Sequence, residues 1–152
     1  MPERQGNAGP AFETPGAQVP GKWEFNYSII PHKGDWHESF QQAFAFQTNL
    51  QAIETGIHPG EISVQGSFIS SSPTEFVISA VKAAENGKGW LVRGFNISSE
   101  PIQVSLKPYR RFTDVTQVNL AEEKIALLDN EEDGSVTFSI GGHQIIGIIF
   151  SD

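Results

Sequence analysis

Val136-Thr137-Phe138-Ser139-Ile140-Gly141-Gly142-His143-Gln144-Ile145-Ile146-Gly147-Ile148-Ile149-Phe150 is the stretch on which the fold turns. Val136, Phe138 and Ile140 alternate with Thr137 and Ser139, the period of two that sends one set of side chains to a core and the other to water. Gly141-Gly142 interrupts that pattern and reads as a turn. From Ile145 to Phe150 the run is almost continuously apolar, the pattern of a strand buried on both faces.

Outward from this pair the same grammar repeats. Asp133-Gly134 is a turn ahead of Val136, and before it come Ile125-Leu127, Phe112-Val115-Val118, and Ile102, Val104 and Leu106 among polar neighbours. The Asn86-Gly87-Lys88-Gly89 turn leads into Trp90, Leu91, Val92 and Phe95. Phe76-Val77-Ile78-Ala80-Val81 precedes it, and Ile62-Val64 continuing to Phe68-Ile69 opens the series. Short strands separated by Gly, Asn and Asp turns predict a mainly β protein, an antiparallel β-sandwich.

The N-terminal third reads differently. Trp23, Phe25, Tyr27 and Ile29 alternate with Lys22, Glu24, Asn26 and Ser28, which predicts one more strand, stopped by Pro31. Trp36, Phe40, Phe44, Gln47 and Leu50 then recur at three or four, predicting one short α-helix from about Trp36 to Gln51. Asp35 stands where an N-cap belongs and Glu38 three positions on, a variant of the capping box, with Trp36 as a core anchor. Residues 1–21 carry the turn signals Gly9-Pro10, Thr14-Pro15-Gly16 and Pro20-Gly21 with Phe12 and Val19 between them. They are expected to form an irregular segment packed on a single sandwich domain of residues 22–152.

Composition narrows the function. The 152 residues hold 10 Lys+Arg against 18 Asp+Glu, and a net charge of −8 argues against nucleic acid or an anionic membrane as partner. The absence of Cys excludes a disulfide scaffold, thiol catalysis and thiolate zinc sites. No apolar run approaches the roughly 20 residues that span a bilayer. The expectation is a soluble, cytoplasmic domain.

The densest polar cluster is Pro31-His32-Lys33-Gly34-Asp35-Trp36-His37-Glu38, at the junction of strand and helix. Its His-x-x-Asp-x-His spacing offers metal-ligand types, but it matches no standard zinc pattern, and a helix cap accounts for Asp35 and Glu38 more simply. Asp129-Asn130-Glu131-Glu132-Asp133-Gly134 imitates a calcium loop until its twelfth position, which is Ile140 where a Glu is required, so it reads as an acidic hairpin turn. Lys107-Pro108-Tyr109-Arg110-Arg111 is a small basic bend. Ser, His and Asp do not assemble into a nucleophilic set from sequence proximity, and no metal ligand set is assigned.

Three blocks carry a family resemblance: Arg4-Gln5-Gly6-Asn7-Ala8-Gly9-Pro10, Thr14-Pro15-Gly16-Ala17-Gln18, and Trp23 to Trp36 with its Phe25-Asn26-Tyr27 and Pro31-His32-Lys33-Gly34-Asp35. Together they resemble the C-terminal region of glycoside hydrolase family 38 α-mannosidases of the bacterial and cytosolic branch. Val81-Lys82, Gly89-Trp90-Leu91-Val92-Arg93-Gly94-Phe95-Asn96 with Glu100, and Val118-Asn119-Leu120-Ala121-Glu122-Glu123 resemble later segments of the same region, in order. The resemblance implies a parent enzyme that is a zinc-dependent retaining α-mannosidase. Its nucleophile and zinc ligands would sit in an N-terminal α/β domain whose motifs this sequence does not contain. It implies no cofactor held by this chain, zinc in the parent catalytic domain, that domain as partner, an α-mannoside substrate reached through it, and a homo-oligomeric parent. Because the match starts within a motif, the chain is expected to be a piece of a longer protein and inactive alone. Arg4, Asn7, His32 and Asp35 are the candidates for an interface or active-site rim. An independent carbohydrate-binding module, with Trp23, Trp36 or Trp90 stacking on a sugar, and a ligand-free adhesion-type sandwich are the alternatives.

Overall fold

The computed structural model describes residues 16, 19–60 and 63–152. Eight strands follow one short helix: α1 (Phe40–Gln47), β1 (Ile69–Ser72), β2 (Phe76–Ala83), β3 (Trp90–Asn96), β4 (Ile102–Pro108), β5 (Asp114–Val118), β6 (Lys124–Leu128), β7 (Val136–Ile140) and β8 (Ile145–Ser151). A 3₁₀ turn, Trp36–Glu38, precedes α1. The strands form two antiparallel sheets, β1-β4-β7 and β2-β3-β8-β5-β6. This is the sandwich that the alternating pattern predicts, and each predicted strand from Phe76 onward is present.

The two sheets bury one core between them. Val104 and Leu106 of β4 and Val136, Phe138 and Ile140 of β7 face Val92, Val115, Ile146, Ile148 and Phe150 of the larger sheet, all buried. Each such side chain contributes roughly 1.5–3 kcal/mol when removed from water. The apolar run is explained by its place: β8 is the central strand of the five, paired with β3 and β5. Its Ile146, Ile148 and Phe150 enter the core, while Ile149 on the other face joins Ala84, Leu91 and Val118 in a second buried cluster.

Upstream of β1 the structure corrects several sequence expectations. Residues 22–30 form no strand, and Phe25, Tyr27 and Ile29 are more than 80% exposed. Alternation specifies a strand only where a neighbouring edge supplies the ladder, and this segment has none among the described residues. The helix is shorter than Trp36–Gln51. Its first turn is 3₁₀, and at its end Thr48 is extended while its hydroxyl donates to Phe44 O (3.1 Å). The capping box does not form: Asp35 has the extended conformation of an N-cap but faces His37 Nδ1 (3.1 Å), and no side chain caps either helical segment. Trp36 is half-exposed, not a core anchor, and Trp23 and Trp90 are exposed as well. The run from residue 63 becomes a strand only at Ile69, and Ile62 lies outside the described residues, as do most of residues 1–21. Among the described residues no helix is long and apolar enough to cross a membrane.

Gly94 shows how tightly the core is specified. It pairs with Ile78 across β2, and a Cβ on it would overlap the ring of Phe76, which packs edge-on against Phe138 (5.8 Å). Gly94→Ala therefore forces Phe76 out of its place, and we expect a loss of about 1–3 kcal/mol, read as a lower urea midpoint. An unchanged midpoint would mean that the ring relocates without cost.

Candidate functional site: the helix junction and the outer sheet face

The polar cluster at residues 31–38 is tied to the sandwich by one side chain. His37 directs Nε2 at Ile97 O (3.1 Å) and Nδ1 at Asp35 Oδ1 (3.1 Å). Ile97 O can only accept, so Nε2 carries a proton. The Trp36 ring stacks on the imidazole (centroids 3.8 Å apart), and Phe40 lies edge-on to both Trp36 (5.6 Å) and Phe95 (6.4 Å). Between this aromatic group and the sheet is an open apolar cleft of about 430 Å³, lined by Trp36, Phe40, Phe95, Ile97, His143 and Ile145. His32 and Asp35 are both exposed, Asp35 beside His37, while Arg4 and Asn7 lie outside the described residues. His37 is thus the residue that sequence reasoning missed. Its partner is a main-chain carbonyl 60 residues away, which leaves no signal in a local pattern.

Part of the outer face of the larger sheet is crossed by the β5–β6 loop. Asn119 shapes it, accepting from Ala121 N (2.9 Å) and Glu123 N (3.0 Å) at Oδ1 and donating to Glu123 Oε2 (2.8 Å). Glu122, in the left-handed region at φ 62, then reaches across the sheet. It accepts from Glu85 N (2.7 Å) and pairs with Lys82 Nζ (2.7 Å), which also binds Glu85. Arg93 Nη2 donates to Leu120 O (3.2 Å) beside it. The loop covers the small cluster of Leu91, Val118 and Ile149, and the Glu122 side chain is only 8% exposed. The hydrogen bond from Glu85 N, then that from Lys82, holds the Glu122 carboxyl below its ordinary range, and Glu122 in turn raises Lys82.

Asn96 does the corresponding work at the end of β3. Buried at 1% exposure, it donates to Glu100 O (2.7 Å) and Gly141 O (3.1 Å) and accepts from Ser98 N (2.8 Å), binding the β3–β4 turn to the β7–β8 turn. Lys82, Arg93, Asn119 and Glu122, scattered through the later motifs of the sequence, are therefore brought together on one sheet face, while Asn96, on the Val92 side of β3, ties the turns at its end.

Residues 75–148 match the family model described as "Glycosyl hydrolases family 38 C-terminal beta sandwich domain". Strands β2 to β7 and the first part of β8 fall within this match. Over 141 residues the chain is 26% identical to a protein of Halalkalibacterium halodurans named "Putative mannosylglycerate hydrolase", an alignment covering 91% of this chain and 15% of that protein. The chain thus spans about one seventh of the length of the curated relative it matches. No solved structure matches.

The described residues do not suit a zinc ion. No three His, Asp or Glu side chains converge among them, and His37 is already engaged at both ring nitrogens. The basic bend forms ion pairs, Lys107 with Asp133 (2.7 Å) and Arg110 with Asp152 (2.7 Å).

These ion pairs set a pH dependence. Glu122, Asp133 and Asp152 all have carboxyls held below their ordinary values, Asp133 chiefly by Lys107 and Asp152 chiefly by Arg110. A depressed carboxylate contributes stability above its unfolded value and loses it as pH falls through the folded one. Thermal stability should therefore fall on acidification below about pH 4.5. Glu122→Gln should melt earlier than the native chain at neutral pH, and the gap should narrow as pH falls through the lowered range of the Glu122 carboxyl. Melting curves that stay parallel across this range would show that Glu122 is not held as a carboxylate.

Proposed function

We propose that this chain is a non-catalytic domain of an α-mannosidase, one that packs against and supports a zinc-dependent catalytic domain of the same parent protein. The observation that carries the reading is the segment before the 3₁₀ turn. Trp23, Phe25, Tyr27 and Ile29 have strand periodicity yet are 59%, 83%, 85% and 82% exposed, with Leu50, Ile53 and Ile57 also exposed further on. Single exposed hydrophobics are ordinary, but a series of this kind marks a surface that another body covers. The His37 anchor holds the end of that segment against the sandwich, where the segment and the aromatic cleft can be presented together. The family match supports a glycoside hydrolase parent, and the relative's name supports a mannosyl compound as its substrate class.

In this reading the retaining chemistry, its two carboxyl groups and zinc belong to the partner domain, and this chain contributes orientation and burial. The parent would work in the cytoplasm as a homo-oligomer. His32 and Asp35, exposed beside the anchor, are rim candidates, whereas His37 holds the junction in place.

The test uses both forms of the protein. The chain by itself should fold, show no turnover of an aryl α-mannoside above a buffer blank, and bind no stoichiometric zinc. The parent should hydrolyse the aryl α-mannoside. Phe25→Asp and Tyr27→Asp should leave the melting of the isolated chain unchanged, because neither ring is buried there, but should reduce parental activity or thermal stability at least about tenfold in rate or by several degrees. His32→Ala should also leave the isolated chain's melting unchanged. Turnover by the isolated chain, or a parent indifferent to both aspartates, would reject the assignment.

A further inference from the structure

At the other end of β3 from the His37 anchor, the turn before Trp90, the bend after β4 and the end of β8 enclose a second open cleft of about 460 Å³. Gly87, Lys88 and Gly89 line it from the turn, and Trp90, Arg110 and Asp152 line it from the strands and bend. The backbone forms the first wall because glycine is required there. Gly87 and Gly89 have φ of 70 and 99, and a Cβ on Gly89 would overlap the Phe150 carbonyl. Trp90 packs near Phe112 (6.3 Å) and Tyr109 (5.8 Å) and keeps 40% of its surface in water.

Beside this aromatic surface a pair of opposite charges is held in fixed orientation. Arg110 meets Asp152 by two bonds, Nη1 to Oδ1 (3.2 Å) and Nη2 to Oδ2 (2.7 Å), while its guanidinium lies over the Phe112 ring at 4.0 Å. Nη1 also donates to Arg111 O (3.3 Å). Of the guanidinium's five N–H groups about two remain for a ligand, and the carboxylate keeps lone pairs that Arg110 does not use. Asp152 raises Arg110 and Arg110 depresses Asp152, so both stay charged across the physiological range.

An exposed indole next to oriented donors and acceptors suits a molecule with an apolar C–H face and hydroxyls at its rim. The carboxylate opposes an anionic ligand, and the polar rim opposes a purely apolar one. We propose that this cleft is a binding site for a neutral pyranose ring, with Trp90 under the ring and the Arg110–Asp152 pair on its hydroxyls. The site is separate from the docking surface: β3 has seven residues, so the two lie on the order of 20 Å apart and can be occupied together. Failure of either proposal leaves the other standing.

Nitrogen-15 spectra of the chain, titrated with methyl α-mannoside, methyl β-glucoside and methyl β-galactoside, test it. At least one should give saturable shifts at the Gly87 and Gly89 amides and the Trp90 indole, with Kd on the order of 1 mM. Arg110→Ala and Asp152→Asn should each weaken that binding about tenfold or more with little change in melting, because an exposed ion pair contributes little to stability. Trp90→Phe, which keeps an aromatic ring against Phe112, should weaken it as well. No saturable shift with any of the three glycosides, shifts located elsewhere, or shifts that persist in Arg110→Ala would overturn the site.

Discussion

The burial of β8 on both faces is the constraint on which the rest of the structure depends. A strand that is apolar on both sides needs two covers, and this protein builds them by different means. On the inner face the three-stranded sheet supplies Val104, Leu106, Val136, Phe138 and Ile140, an ordinary sandwich core. Among the described residues no third sheet covers the outer face. There the β5–β6 loop folds back, and Glu122 fastens it to Lys82 and to the backbone of Glu85. A charged residue in a left-handed conformation is thus part of how a hydrophobic strand is kept dry.

This division also explains why the outer face splits into two halves with different uses. Where the loop lies, Leu91, Val118 and Ile149 are buried and the charges above them are engaged. Beyond the loop, Ile145 and Phe95 are covered only in part, by Phe40 and Trp36 from the helical segment. The helix has no buried residue of its own, so its position depends on edge-on aromatic contacts and on His37. Such an arrangement fixes where the chain leaves the sandwich without enclosing it. That is the geometry expected of a junction that receives another body.

Ion pairs finish the ends of the sandwich. Lys107 and Asp133 join β4 to the turn before β7, and Arg110 and Asp152 close the end of β8. Both pairs are half-exposed, and exposed pairs contribute little to stability. Their value is orientation: Arg110 is held flat against Phe112 beside an uncovered Trp90.

From the amino-acid sequence alone, every strand from Phe76 to Phe150 and the turns at Asn86–Gly89, Asp133-Gly134 and Gly141-Gly142 could be read. These elements carry their own partners within reach, so a local period of two is enough to specify which face is buried. The same period at Trp23–Ile29 misleads, because a strand is a property of a pair of chains and no edge among the described residues stands beside that segment. Glu38 was legible as a capping residue by spacing, yet its carboxylate lies over Gly34 and caps no backbone N–H. Only the tertiary structure decided that His37 anchors the junction at Ile97, that Glu122 crosses to Glu85, and that Asn96 joins two turns. Each of these contacts joins a side chain to a backbone group set by folding, and backbone groups are the same in every sequence.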